Sequence, residues 1–138
     1  MKIHTTNYKN TFIEVAEDCP INISEVPPLK EDKKSVANYQ FEILDKNPYK
    51  FTSDDVLFQV FAERNDLTKS DYSTEREKFF SKGQSCFRAS PLAKRYGYGI
   101  HFDENGRIAI YGIETEEYAK FVADASIQKV MAMRTKKA

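Results

Sequence analysis

The sequence predicts an α+β fold: a small antiparallel sheet with a β-hairpin in its C-terminal half, and helices packed on one face. Three observations carry this. Segments 36–44 and 98–113 alternate apolar and polar residues, the period of a half-buried strand. Segments 52–64, 69–82 and 115–122 space their apolar residues as a helix does, behind capping residues. The chain has 138 residues, 41% hydrophobic and 30% charged, which suits one domain with its own core.

Thr11–Ala16 (TFIEVA) is short and β-rich, and reads as an opening strand. Cys19–Lys34 contains Pro20, Pro27 and Pro28, then the charge run Lys30-Glu31-Asp32-Lys33-Lys34. Proline lacks the amide a ladder needs and the charges seek water, so an extended surface loop is expected. In Val36–Leu44, Ala37, Tyr39, Phe41 and Ile43 alternate with Asn38, Gln40 and Glu42, which predicts a strand with one wet face. Asn47-Pro48-Tyr49 breaks the chain. A helix follows, capped by Thr52 or Ser53, with Asp54 and Asp55 at its positive end and a stripe of Val56, Leu57, Val60 and Phe61. A second helix spans about Lys69–Lys82, with Tyr72, Phe79 and Phe80 inward, Glu75-Arg76-Glu77-Lys78 toward water, and Gly83 as terminator. Ser90-Pro91 opens a short helix, Pro91–Tyr96, stopped by Gly97.

The hairpin turns at Asp103-Glu104-Asn105-Gly106, and its register follows from the side-chain pattern. With Glu104-Asn105-Gly106 as the loop and Gly106 left-handed, Phe102 faces Ile108, Ile100 faces Ile110, and Tyr98 faces Gly112. His101 then pairs with Ala109, Gly99 with Tyr111, and Asp103 with Arg107. A slip of one residue would mix apolar and polar groups on both faces. Thr115-Glu116-Glu117 opens a helix whose stripe is Tyr118, Phe121 and Val122; Asp124-Ala125-Ser126 breaks it, and Ile127, Val130 and Met131 predict another short helix. The core is expected at Tyr39, Phe41, Val60, Phe61, Phe79, Ile100, Ile110 and Phe121. Residues 1–138 form one domain, with 1–8 and 134–138 expected to be flexible.

Twenty-one basic residues balance twenty-one acidic ones, which argues against a dedicated nucleic-acid binder. The N-terminus has no apolar signal segment and no stretch approaches a membrane span, so the protein is expected in the reducing cytoplasm, with no membrane contact. Cys19 and Cys86 lack a CxxC spacing and read as free thiols, and His4 and His101 are the only histidines. No metal and no cofactor is expected, and no established catalytic motif is present.

One segment stands out. From Lys78 to Phe102 there is no acidic residue, while Lys82, Arg88, Lys94 and Arg95 lie there with Tyr96 and Tyr98. Arginine offers a planar fork to carboxylate or phosphate, and Ser90 adds a hydroxyl. If the polar face of the hairpin lies alongside, His101, Arg107 and Tyr111 complete a pocket for an anionic ligand. The competing reading is a solvated basic face, or partners for Asp54, Asp55, Glu114 and Glu116.

Six stretches together resemble a family of small bacterial proteins known only as a domain of unknown function. They are Val26-Pro27-Pro28-Leu29, Thr52–Phe58, Phe79–Gly83, Arg88–Leu92, Lys94–Gly97 and Met133-Arg134. Arg88–Gly97 is the most distinctive, and Tyr98 stands where the family's pattern expects tryptophan. The resemblance covers almost the whole chain. It implies a stand-alone cytoplasmic domain and brings no substrate, cofactor or catalytic residue.

Three functions are therefore expected in turn. The first is a cytoplasmic binding module for an anionic small molecule through residues 82–101, using Arg88, Ser90, Lys94, Arg95, Tyr96, Tyr98, His101, Arg107 and Tyr111. The second is an enzyme using Cys86 or His101. The third is a protein-interaction domain, including a homodimer formed through the proline loop or the basic tail.

Overall fold

The computed structural model describes residues 3–135. Among them, β1 (Thr11–Glu14), β2 (Tyr98–Phe102), β3 (Ile108–Gly112) and β4 (Gln128–Met131) form one sheet, in the order β3-β2-β1-β4. The helices are α1 (Val36–Lys46), α2 (Ser53–Arg64), α3 (Tyr72–Ser81), α4 (Pro91–Lys94) and α5 (Glu116–Ala123). The class is α+β, with strands spread along the chain. Two details depart from expectation. The sheet is mixed, because β4 runs parallel to β1 while β1–β2 and β2–β3 are antiparallel. Helices also cover both faces.

The hairpin takes the predicted register at all five pairs from Tyr98↔Gly112 to Phe102↔Ile108. Asp103 Oδ1 accepts from the amides of Asn105 and Arg107, and Gly106 turns the chain at φ 78°. Pleating then sorts the side chains. Ile13, Ile100, Phe102 and Ile108 face α1, α2 and α4, forming the main core with Leu44, Val56 and Leu92. Phe12 and Val15 face α5 and meet Tyr118, whose hydroxyl accepts from the Val15 amide at 2.8 Å.

Residues 36–44 are the largest correction: they form a helix, not a strand. Ser35 and Asn38 make a reciprocal capping box, which satisfies two amides at the N-terminus of α1. Asn38 and Gln40 are buried, at 5% and 2% exposure, and both are hydrogen-bonded. Asn38 Nδ2 donates to the Pro27 carbonyl at 2.8 Å, and Gln40 Oε1 accepts from Ser90 Oγ at 2.6 Å. A buried polar residue with its partners in place fits a core face. Here two of them, set among Ala37, Tyr39, Phe41 and Ile43, imitate alternation.

Residues 127–131 are the second correction, since β4 is a strand where a short helix was expected. Ile127, Val130 and Met131 fit helical spacing, but Lys129 and Val130 pair with Phe12 and Ile13 across the sheet. Of the predicted core, Val60 and Ile100 are buried, while the other six are half-buried at its margin. Gly83 does not terminate α3 in a left-handed conformation; that conformation is confined to Gly97 and Gly106 among the glycines.

Loop 19–34 is held at several points. Asn38 takes the Pro27 carbonyl, the Glu25 amide donates to the Tyr96 carbonyl, and Ser24 holds Glu114 through its amide and its hydroxyl, both at 2.9 Å. The Ser24 amide keeps the Glu114 carboxyl below the usual carboxylate range.

The start of the chain is fastened to α2. Thr5 Oγ1 donates to Asp54 Oδ2, while the Thr6 amide and hydroxyl donate to Oδ1, at 2.6 to 2.7 Å. Asn7 Oδ1 accepts from the Asp54 amide. At the other end Arg134 meets Glu17 at 2.6 Å and the Thr135 amide donates to Asp18. Residues 1–2 and 136–138, part of the ends expected to be flexible, lie outside the described residues. Among those described, no helix is long and apolar enough to cross a membrane.

Candidate functional site

The nine residues expected to form an anion pocket are distributed over the fold. Arg88 reaches the sheet edge, where its Nε donates to the Met131 carbonyl at 2.7 Å and its own carbonyl accepts from the Met133 amide. Its guanidinium thus fastens β4. Ser90 is buried, caps α4 by accepting from the Leu92 amide, and donates to Gln40. Tyr96 and Tyr98 pack against the main core, and burial pushes the Tyr98 hydroxyl above the usual phenol range. Lys94 and Arg95 close α4, with no side-chain hydrogen bond or ion pair among the described residues. Arg107 is exposed and lies opposite Thr52.

His101 and Tyr111 are brought together, on the α5 face. They meet through Tyr49, whose hydroxyl lies 2.8 Å from His101 Nδ1 and 2.8 Å from the Tyr111 hydroxyl. The His101 ring stacks on Phe121, with centroids 4.1 Å apart and planes 19° apart. Burial lowers the imidazole below its ordinary range, against the pull of Asp103 and Asp124. Burial, with the bond to Tyr111, pushes the Tyr49 hydroxyl far above the usual phenol range. The Tyr49 hydroxyl therefore joins the His101 ring and the Tyr111 hydroxyl in one hydrogen-bonded chain. Tyr49 reaches them with φ at 59°, a left-handed conformation that costs a non-glycine residue about 1–2 kcal/mol.

Cys86 is elsewhere. Its Sγ is 3.5 Å from the Tyr8 hydroxyl, and that contact raises Tyr8 above the usual phenol range. Cys86 and Cys19 are both free and half-buried, and no hydrogen bond joins Cys86 to His101. Among the described residues no cluster of three or more His, Cys, Asp or Glu is placed to hold a metal.

A cleft of about 580 Å³ opens between α1, α2 and α3, floored by Ile43, Phe51, Val56, Phe58 and Tyr72. Its polar groups are few: Asn47, Gln59, Ser73, and the ion pair of Asp55 with Arg76. Arg76 Nη2 lies 3.0 Å from Asp55 Oδ1. Asp55 is fixed from the other side, because its Oδ2 accepts from the Thr52 amide in the capping box of α2. The guanidinium lies over Phe58 and Phe80, 5.8 and 5.5 Å from the ring centroids. Arg76, expected to face water, is half-buried instead, with one N–H committed to Asp55 and others left for a ligand.

The third wall is the loop after α1. Asn47 and Phe51 line the cleft, while Tyr49 between them turns away to the His101 cluster. The Tyr49 amide donates to the Ile108 carbonyl, and the Ile108 amide to the Phe51 carbonyl, so the loop is stitched along β3. The site is hidden in the sequence because two of its walls, α1 and the loop, carry the patterns of a strand and a break. One signal was available: Tyr72, Arg76, Phe79 and Phe80 recur at helical spacing, which sets Arg76 inside an aromatic stripe.

The chain belongs to a family of unknown function (DUF6157), whose family model matches residues 3–138. No curated protein and no solved structure matches it.

Proposed function

We propose that this protein is a small-molecule binding module, and that its ligand lies in the cleft between α1, α2 and α3. The observation that carries the reading is the cleft's composition: an apolar floor of ligand-sized volume with one ion pair at its rim. Pockets of some 300–1,000 Å³ with mostly apolar walls and a few polar groups are the usual form of such sites. The ligand it suits has an apolar body for Ile43, Phe51 and Tyr72 and a polar end for Arg76 and Asp55. The hydrophobic gain comes from the floor, at roughly 25 cal/mol for each Å² of apolar surface removed from water. Arg76 and Asp55 then fix orientation rather than supply most of the affinity. Two free thiols favour a reducing, cytoplasmic setting.

Gln59 lies on the half-buried rim of α2, so Gln59→Trp fills the cleft from a position outside the main core. A thermal-shift screen of uncharged aryl and alkyl amides and alcohols, and of amines, is expected to yield compounds that stabilise the native chain. At a hundred times its dissociation constant a ligand adds about 2.7 kcal/mol, several degrees for a domain of this size. Those shifts are expected to vanish in Gln59→Trp. A panel with no stabilising member, or shifts that survive the tryptophan, would sink the proposal.

A further inference from the structure

We infer a second binding site, on the other flank of the α2–α3 pair, whose ligand is a small aromatic ring bearing an anionic group. It does not depend on the cleft. Two adjoining hollows of about 180 and 520 Å³ share Phe61, Phe79 and Gln84. The rings of Phe61 and Phe79 lie 4.8 Å apart and both are half-buried, so they form an apolar floor with one side open. Around it stand three cations from two helices, Arg64, Lys78 and Lys82, against a single acid, Glu75.

Those charges are not used up by the fold. Lys78 meets Glu75 only at 3.7 Å, with the lysine side chain 69% exposed. Arg64 and Lys82 have no ion pair among the described residues. Cations at the ends of α2 and α3 also suit the helix dipoles, which is the plainer reading of their placement. The last carbonyls, however, already have partners. Asn65 Nδ2 donates to the Phe61 carbonyl at 2.8 Å, and Gln84 Nε2 to the Phe79 carbonyl at 2.7 Å. Side-chain amides close the helix ends, and the cations remain over an aromatic floor.

Only one ligand class uses both features. A neutral ring would stack on Phe61 and Phe79 and leave two positive charges in excess. A bare inorganic anion would find charge and no use for the floor. A ring carrying carboxylate, sulfonate or phosphate takes both, its face on the phenylalanines and its charge among Arg64, Lys78 and Lys82. The acid-free stretch that begins at Lys78 thus contributes its first two cations here, joined by Arg64 from α2, which is distant in sequence.

The test is a titration of the isotope-labelled full chain with 1-naphthyl phosphate, with 1-naphthol as neutral control, followed by amide chemical shifts. We expect the amides of Arg64, Phe79, Lys82 and Gln84 to move with the phosphate, and those of Asn47, Gln59 and Ser73 in the cleft to stay. Affinity for the phosphate should exceed that for naphthol by about tenfold or more, and fall by as much in Arg64→Glu/Lys82→Glu. Both substitutions are at exposed positions, and an unchanged melting temperature confirms that the variant is folded. Equal affinity for the two probes, shifts confined to the cleft, an unaffected double variant, or no binding of the phosphate would each overturn the site. Failure here leaves the cleft untouched, because the two sets of amides are separate.

Discussion

The two flanks of the α2–α3 pair are built from the same two helices and differ in what is left unpaired. On the cleft side the walls include Val56 and Phe58, which are almost fully buried, and the charges cancel between Arg76 and Asp55. On the other side Phe61 and Phe79 are half-exposed, and three cations face one acid. The first flank selects by shape and dehydration, the second by charge. Salt separates them on physical grounds alone: near 1 M the screening length falls to about 3 Å, which weakens exposed charge pairs and leaves apolar burial in place.

The largest effect is expected where both flanks share a foundation. Asp54, 9% exposed, accepts three hydrogen bonds from Thr5 and Thr6 and fastens the start of α2. Bonds to a charged group are worth about 1.5–3 kcal/mol each, and losing the carboxylate leaves the buried Thr6 amide without its partner. Asp54→Ala is expected to cost about 3 kcal/mol in chemical denaturation and to disturb the amides of both flanks. A loss below about 0.5 kcal/mol, or a disturbance on one flank alone, would break the idea that α2 is their common wall.

A smaller effect should divide the flanks. Tyr49 holds the loop that walls the cleft, and it is held by His101. Burial keeps the folded imidazole below the ordinary value near 6.5, so the unfolded chain takes up the proton first as the pH falls. The stability this neutral ring contributes is complete above about pH 6.5 and is lost as the pH drops toward the depressed folded value. Titrating downward through that window, the amides of Asn47 and Phe51 are expected to move while those of Lys82 and Gln84 hold still. His101→Phe should remove the response. Equal movement on both flanks, or a response that persists in His101→Phe, would show that the loop is not governed from the α5 face.

The hairpin was legible residue by residue because its pattern has one solution: a glycine at the only turn, and aliphatic residues that segregate in one register. The two helices flanking the sites were legible for a similar reason, since Thr52 and Asp55 announce one and a run of aromatics marks the other. Helix α1 was not, because Asn38 and Gln40 are buried by partners that sequence order does not reveal, namely Pro27 and Ser90. Strand β4 has four residues and a pattern that fits either period, and its parallel partner, β1, lies more than a hundred residues earlier. Both candidate sites depend on such distant meetings. Arg76 reads as a surface charge until Asp55 and Phe58 are set beside it, and Arg64 until Phe79 and Lys82 are.

The most direct measurement is a crystal structure of the protein soaked in phenol, a probe with an apolar body and one polar end. Phenol is expected in the cleft, its ring against Ile43, Phe51 and Tyr72 and its hydroxyl at the Asp55–Arg76 pair, at low and high salt alike. A cleft closed by its own side chains, or one that stays empty while phenol binds elsewhere, would contradict the proposal that this flank is a small-molecule site.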